Sequence, residues 1–406
     1  ENSNTQKYQL SNGATLLLTP NRVNDIIAIS IFAKGGEFIE HIPGTADLMA
    51  AVLTKGSKKY SSVEFAQTME DNGIKIVPSA KADSFNMTVL TTKNDYEKTL
   101  ELLNEIINNA TLDEFEIEKA KNDELNSIKK SKDVPLNLAV DNYKALIFEG
   151  SPYSYSNNIL EKNLPRVTKN DVKNYYDKVF YPQNVVISIN GNVDKETTIA
   201  ELTNIFNNKK GEKFDYNKHL VQSLTTEKQA CSKVKDLKTD WIIMGWQTSG
   251  VLNRKDYATL QVIDSLLGSG MSSRLFKNLR DRDGLAYQFS PHILKGSFIT
   301  YIGTNPENLD YAQKRMKEEV FRLKTEFVGS KELQEAKDKL LGHYIIGQET
   351  NLDKATTIGW FEVSGRGYEF DEQYSQLINS VTESDIIEVA NKVFTNNYVL
   401  SIVKPQ

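Results

Sequence analysis

Residues 44–57 combine a short helical pattern with the spacing of a metal site, but without the side chains that bind metal. In a zinc-binding helix of the H-x-x-E-H type, histidines at i and i+4 share one face and hold one ion. The glutamate at i+3 activates the metal-bound water. Here Asp47 takes the first histidine position, Ala50 the glutamate position and Ala51 the second histidine position. Because methyl groups neither ligate zinc nor move a proton, we expect this chain to catalyse no hydrolysis on its own.

The composition indicates a globular protein of more than one domain. A length of 406 residues predicts two or more domains. A formal charge of −5 with 25% charged residues argues against a nucleic-acid binder. No apolar run approaches the roughly 20 residues that span a bilayer. The single Cys231 excludes an internal disulfide and a cysteine-based zinc cluster.

Histidine spacing offers no second place for a metal. The four histidines lie far apart in the sequence, and none is within five residues of another; they are His41, His219, His292 and His343. We therefore expect no metal in this chain. The chain begins at Glu1 without an initiator methionine. This start favours an exported, periplasmic protein whose signal peptide has been removed, and a trimmed cytoplasmic protein is the alternative.

An internal repeat divides the chain into two similar halves. Val381 follows Val167 by 214 residues, and the same interval separates Asp385 from Asp171 and Phe394 from Phe180. In both copies a threonine is placed to cap a helix, and a short strand rich in β-branched residues follows the helix. Residues 119–125 and 335–341 form a second, weaker pair within lysine-rich helical stretches.

The order of predicted elements indicates an α+β fold in each half. In the first half, a hairpin at 8–19 and a strand at 26–34 precede helices at 46–53 and 62–72. Strands at 74–78 and 84–90 and a mostly helical stretch from 96 to 147 follow. In the second half, a strand at 241–246 and helices at 257–267 and 272–282 come before further strands and long helices. This order predicts two homologous halves, each with an antiparallel sheet packed against helices.

The boundary between the halves falls in a polar stretch that is poor in apolar residues. Residues 207–213 are mostly asparagine and lysine, which is typical of a linker. We predict an N-terminal domain at 1–210, a linker at 211–230 and a C-terminal domain at 231–406.

Three segments of the chain resemble the M16 metallopeptidases, the insulinase-like and mitochondrial-processing-peptidase-like family. They are residues 44–57, 120–135 and 268–288, and the likeness extends over nearly the whole chain, closest to the short M16B members. The resemblance implies an M16 peptidase-like (LuxS–MPP-like) fold. In active members a third zinc ligand, a glutamate, follows on a later helix ahead of an Asp-Pro. Alignment on residues 133–135 places Ser127 at that position, and Glu124 is the nearest carboxylate.

The second half keeps the family pattern better than the first. Residues 268–276 and 279–287 match the C-terminal half of the family. The resemblance implies that Arg280 and Tyr287 form a pair that reaches the substrate near zinc. A guanidinium and a phenol are donors that can bind a peptide carbonyl and its developing oxyanion.

The resemblance therefore favours a non-catalytic subunit of a heterodimeric M16B peptidase. Its partner would carry the intact H-x-x-E-H and the zinc, while this chain would bind an extended or unfolded peptide and contribute Arg280 and Tyr287. The peptide would add as a strand at a sheet edge near 84–90. The alternatives are a structural subunit without a role in proteolysis and a homodimeric peptide-binding module. An independent zinc peptidase ranks last.

Overall fold

The computed structural model describes residues 4–268 and 286–406 and divides into two compact units. The N-terminal unit comprises Glu1–Ser127, Ile159–Lys218 and Gly347–Glu372. The C-terminal unit comprises Ile128–Asn158, His219–Ile346 and Gln373–Gln406. Each unit is one mixed sheet with helices packed against it, which confirms the predicted α+β class.

The strands in chain order are β1 (Gln6–Gln9), β2 (Thr15–Pro20), β3 (Ile26–Lys34), β4 (Lys75–Ala80), β5 (Ser84–Thr92), β6 (Val185–Gly191), β7 (Lys228–Val234), β8 (Asp240–Ser249), β9 (Ala286–Ser290), β10 (Lys295–Thr304) and β11 (Val399–Pro405). Within the described residues, the N-terminal sheet has the order β1-β2-β6-β3-β5-β4. The C-terminal sheet has the order β7-β11-β8-β10-β9.

The helices outside the segment 269–285 are α1 (Thr45–Val52), α2 (Ser62–Asp71), α3 (Tyr96–Asn109), α4 (Glu114–Lys132), α5 (Pro135–Ile147), α6 (Asn157–Asn163), α7 (Lys169–Val179), α8 (Lys195–Phe206), α9 (Arg254–Gly268), α10 (Leu309–Arg322), α11 (Ser330–Ile346), α12 (Asn351–Val363), α13 (Phe370–Asn379) and α14 (Glu383–Val393). In this part of the chain, no helix is both long and apolar enough to cross a membrane. The helix predicted at 272–282 lies outside the described residues.

The predicted repeat is confirmed at its helix caps. The backbone N–H of Asp171 donates to Thr168 Oγ1 at 3.3 Å, and that of Asp385 donates to Thr382 Oγ1 at 3.1 Å. In return each aspartate carboxylate accepts the N–H of its threonine at 2.8 Å. These reciprocal bonds satisfy free amides at the starts of α7 and α14 and fix where both helices begin.

The sheets are mixed rather than purely antiparallel. β2 pairs in parallel with β6, and β7 pairs in parallel with β11, while the remaining pairs in both sheets are antiparallel. Parallel pairing needs a long connection. β6 and β11 meet this condition, because each returns to its sheet only after several helices.

The predicted sheet edge at 84–90 is wrong. β5 lies between β3 and β4, so β4 rather than β5 is the outer strand on that side of the N-terminal sheet. The alternating burial of β5 signals a strand with one covered face, but it carries no information about which neighbours pair with its backbone.

The compact units differ from the contiguous domains predicted at 1–210 and 231–406. Each unit takes a helical segment from the other half of the sequence: α12 packs on β3 and β6, and α5 packs on β8 and β11. β3 is buried from Ile27 to Ala33, so both of its faces are covered. Such a strand needs helices on two sides, and α12 supplies one of the two layers.

Glycines allow α12 and α5 to approach their sheets closely. A Cβ atom on Gly359 of α12 would lie 2.5 Å from the Phe32 ring of β3. In the C-terminal unit, a Cβ on Gly245 of β8 would lie 2.3 Å from the Tyr143 hydroxyl of α5. That hydroxyl is buried and hydrogen-bonds to Ser297 at 2.7 Å. At both contacts an aromatic ring occupies the volume that a side chain on the glycine would fill.

The first part of the predicted linker is packed against the N-terminal unit. Asn184 donates to Glu212 O at 2.8 Å and accepts from the Phe214 N–H at 2.7 Å. The Tyr216 hydroxyl donates to Asp83 O at 2.6 Å. Residues 211–218 therefore belong to a folded unit, and β7 begins at Lys228. Composition did not reveal this docking, because it depends on a few aromatic and amide contacts.

Candidate functional site

The start of α1 is fixed by a glutamate that precedes it. Gly44 has a φ of 94°, in the left-handed region, and supplies no capping side chain. The side-chain carboxyl group of Glu40 instead accepts the Gly44 N–H at 3.2 Å and the Ala46 N–H at 2.7 Å. Burial, together with the negative charges of Glu37 and Asp47, raises the pKa of Glu40 to about 9. The zinc-helix pattern gave no signal for Glu40, because this residue lies outside the motif.

The positions that correspond to metal ligands carry no ligand set. α1 buries the face formed by Thr45, Ala46, Leu48, Met49 and Val52. On the remaining surface Asp47 and Ala50 are partly exposed and Ala51 is exposed. Among the described residues, no group of three or more histidine, cysteine, aspartate or glutamate side chains is arranged to hold a metal ion. The side chains present do not fit a zinc ion, because two of the three are methyl groups without a lone pair.

A cleft of about 250 Å³ opens between α1 and α4 beside Ala51. Its charged lining comprises two lysines and three carboxylates, which are Lys55, Lys119, Glu116, Asp123 and Glu124. Ser127 lies further along α4, is exposed and does not line this cleft, whereas Glu124 does. The lining has charges of both signs and, among the described residues, no metal ligand set, so the cleft is suited to binding polar groups.

The arginine–tyrosine element is described only in part. Arg280 lies outside the described residues, so the predicted pairing of Arg280 with Tyr287 stays a prediction. Tyr287 lies on β9 opposite Thr300 of β10 and packs against Phe298 with ring centroids 6.1 Å apart. Its side chain is 9% exposed. Its hydroxyl is buried and forms no hydrogen bond to another described residue.

The surroundings of Tyr287 keep its hydroxyl protonated. Burial raises the pKa of Tyr287 well above its ordinary value, and the charge of Glu319 on α10 adds to this shift. Glu319 is itself buried and is held by Arg315 at 2.8 Å and Arg322 at 3.3 Å. Tyr287 is therefore a hydrogen-bond donor and not an acid. The sequence predicted the phenol but not the buried carboxylate beside it, which is distant in the chain.

Two sequence models of one family match the chain. Residues 17–157 match "Insulinase (Peptidase family M16)" and residues 166–340 match "Peptidase M16 inactive domain", which together cover more than half of the chain. Among solved structures, a peptidase M16 inactive domain from Pseudomonas fluorescens aligns with a TM-score of 0.89 at 20% identity, covering 99% of this chain and 98% of that one. A protease from Helicobacter pylori aligns with a TM-score of 0.86 at 18% identity, covering 99% of this chain and 100% of that one. These structures share the fold.

Relatives in sequence carry two kinds of description. An uncharacterized zinc protease of Rickettsia felis is 26% identical, with 100% of this chain and 98% of the relative covered. The YmxG protein of Helicobacter pylori, described as a non-peptidase homolog, is 23% identical, with 85% of this chain and 80% of the relative covered. The ligand positions of α1 place this chain with the second description. The chain belongs to the M16 peptidase family, as a non-catalytic member in which the zinc helix is kept without its ligands.

Proposed function

We propose that this chain is the non-catalytic subunit of a heterodimeric M16 peptidase. Its partner carries the intact H-x-x-E-H helix and the zinc ion, while this chain binds the peptide substrate. The observation that carries the proposal is the state of α1. The helix has a buried face and is held at its start by Glu40, but it has Asp47, Ala50 and Ala51 at the ligand positions. A fold that is kept while its chemistry is lost is expected where another chain supplies the chemistry.

In this assembly an extended peptide adds as a strand to the N-terminal sheet at β4. The outer strand of a sheet presents backbone groups that a peptide can pair with, and side chains on alternate positions give specificity. Val77 is 43% exposed on this strand. Pro78 has no backbone N–H, so it limits the pairing to the positions around it. Arg280 and Tyr287 then donate hydrogen bonds to the peptide at the partner's zinc.

A structural role without any part in proteolysis is the second candidate, and one observation favours it. The Tyr287 hydroxyl is buried within the C-terminal unit, where it serves packing without reaching solvent. A phenol that supports catalysis in a partner must reach the substrate. The effect of a Tyr287 substitution on the turnover of the reconstituted pair distinguishes the two functions.

The first experiment is affinity purification of the tagged full-length chain from its own cells, followed by mass spectrometry. We expect an M16 chain with an intact H-x-x-E-H in roughly equimolar amount. Recovery of a homodimer without such a chain would overturn the heterodimer and would favour a peptide-binding or structural protein.

The second experiment measures peptide hydrolysis by the reconstituted pair. Arg280→Ala and Tyr287→Phe in this chain should lower kcat by about 10²-fold or more, which is the range for loss of one oxyanion donor. Arg22→Ala and Tyr311→Phe change exposed residues of the same types and serve as matched controls. Unchanged turnover in both test variants would remove the catalytic contribution and support the structural role.

A further inference from the structure

A second polar cavity lies within the C-terminal unit, away from the segments that carry the family motifs. Its volume is about 430 Å³, and its walls come from β8, the start of β10, the end of α14 and residues 223–224. A volume of this order accommodates a small organic ligand.

The charged groups that line this cavity have one sign. Lys295 and Lys392 both contribute to its walls, and none of the described side chains lining it is acidic. Hydroxyl and amide groups supply further polar atoms from Ser223, Thr248 and Asn397. Such a lining is electrostatically complementary to a negatively charged ligand.

The two lysines differ in how their charge is balanced. Lys392 forms an ion pair with Asp256 at 2.5 Å, and Asp256 also accepts a hydrogen bond from Ser249 at 2.5 Å. Lys295 donates to the hydroxyl of Ser223 at 2.5 Å and forms no ion pair within the described residues. Partial burial lowers the pKa of Lys295, and no carboxylate among the described residues offsets this effect. An anion beside Lys295 would supply the missing countercharge.

The floor of the cavity is held in place by Gln247. Its amide oxygen accepts the Leu224 N–H at 2.7 Å, and its amide nitrogen donates to Ile147 O at 2.7 Å and Gln222 O at 3.0 Å. Because these bonds hold Gln247 on both sides, the residues around Ser223 keep a defined position next to Lys295.

Carbonyl groups near the end of α14 would repel an anion if they were free. Phe394 O accepts from Lys324 at 3.1 Å, and Thr395 O accepts from the indole N–H of Trp246 at 2.9 Å. These bonds reduce the repulsion at that wall. Apolar surface comes from Leu224, Leu294 and Val393.

We propose that this cavity binds a carboxylate with a small apolar body. The carboxylate oxygens lie against the Lys295 ammonium and the Ser223 hydroxyl, and the apolar body packs on Leu224, Leu294 and Val393. The carboxylate belongs either to a free organic acid or to the C-terminal residue of a peptide. The site would exist whether or not the chain pairs with a peptidase.

Calorimetric titration of the full chain with three probes tests this site: butyrate, N-acetyl-leucyl-leucine and the C-terminal amide of the same dipeptide. We expect saturable binding of at least one acid and none of the amide. Tighter binding of the dipeptide acid than of butyrate identifies a peptide end as the ligand, and the reverse order identifies a free acid. Binding of the amide as tightly as its acid, or binding of neither acid, would overturn the proposal.

Lys295→Met removes the charge and keeps much of the side-chain length. It should weaken binding at least about tenfold, which corresponds to about 1.4 kcal/mol. Lys314→Met, at a lysine that is 74% exposed on α10, should leave binding unchanged. Ser223→Ala provides a milder second variant in case Lys295→Met does not fold. Affinity that is unaffected by both cavity substitutions would contradict the assignment.

Discussion

Glu40 binds backbone amides at the start of α1 in a site that disfavours its own negative charge. It accepts two backbone N–H groups of α1, and these bonds favour its ionised form. Burial and the nearby charges of Glu37 and Asp47 oppose ionisation more strongly, so that the pKa rises to about 9. The start of α1 is therefore held by a group that is sensitive to pH.

Replacing Glu40 should change the pH dependence of stability. As the pH rises from the ordinary value of 4.5 towards 9, the unfolded chain releases this proton while the folded chain retains it. The free energy of unfolding of the wild type thus falls over this range, by at most about 1.4 kcal/mol per pH unit. In urea unfolding experiments at several pH values, the free energy of unfolding of Glu40→Gln should not show this decrease. The surface substitution Glu70→Gln is the control, and an equal slope in Glu40→Gln would contradict the assignment.

Introducing ligand side chains on α1 tests whether their absence is what prevents zinc binding. We expect the triple variant Asp47→His, Ala50→Glu, Ala51→His to bind zinc, with Glu124 as a further ligand because it lines the same cleft as Ala51. Competition with a chromophoric chelator measures the affinity. In this background Glu124→Gln should weaken binding at least about tenfold, and Ser127→Ala should leave it unchanged. Equal affinity of the Glu124→Gln variant would mean that Glu124 is not a ligand.

At the scale of elements, the contact between α12 and β3 depends on one glycine. Leu17, Phe32 and Val186 of the sheet form a buried cluster with Ile358 and Val363 of α12. Gly359 lies between the last two residues and faces the ring of Phe32. The apolar face of α12 reaches this cluster because position 359 carries no side chain.

Adding one methyl group should therefore loosen the N-terminal unit. Gly359→Ala places a Cβ 2.5 Å from Phe32 and 3.1 Å from Ser188, and overpacking of this kind costs about 1–3 kcal/mol. Gly342→Ala in α11 is the matched control, since its Cβ would meet nothing within 4 Å. Higher helix propensity should make that variant neutral or more stable by up to about 1 kcal/mol. Denaturant unfolding compares the two, and equal stability would argue against the close approach of α12.

Most individual elements were predictable from the sequence, whereas their partners were not. The sequence placed strands at β3 and β5, and the threonines marked the starts of α7 and α14. The pattern of α12 shows that one face is apolar, but it does not say which sheet that face covers. The same limit applies to the site. The motif spacing identified Asp47, Ala50 and Ala51 as the residues at the ligand positions. The roles of Glu40 and Glu124 depend on how helices pack, which spacing does not encode.

At the scale of the whole molecule, the exchange of α5 and α12 makes each unit depend on both halves of the sequence. Residues 347–372 belong to the N-terminal unit and residues 128–158 to the C-terminal unit. A cut in the polar stretch after residue 210 would thus leave each fragment without one helical layer of its own sheet.

This dependence predicts the behaviour of isolated halves. A fragment of residues 1–210 should expose the surface around Phe32, bind a hydrophobic dye and melt at a lower temperature than the intact chain. A synthetic peptide of residues 347–372 added in trans should reduce dye binding and raise the melting temperature. The same peptide with Gly359→Ala should do so less effectively. A fragment that is as stable alone as with the peptide would show that α12 is dispensable.

The exchange of helices also affects when the N-terminal unit can fold during translation. The last strand of the N-terminal sheet, β6, ends at Gly191, but the helix that covers this sheet begins only at Asn351 and ends at Val363. Domains usually fold as units, N-terminal first, while translation proceeds. The apolar surface of the first sheet therefore stays uncovered until α12 has been translated, long after its last strand β6.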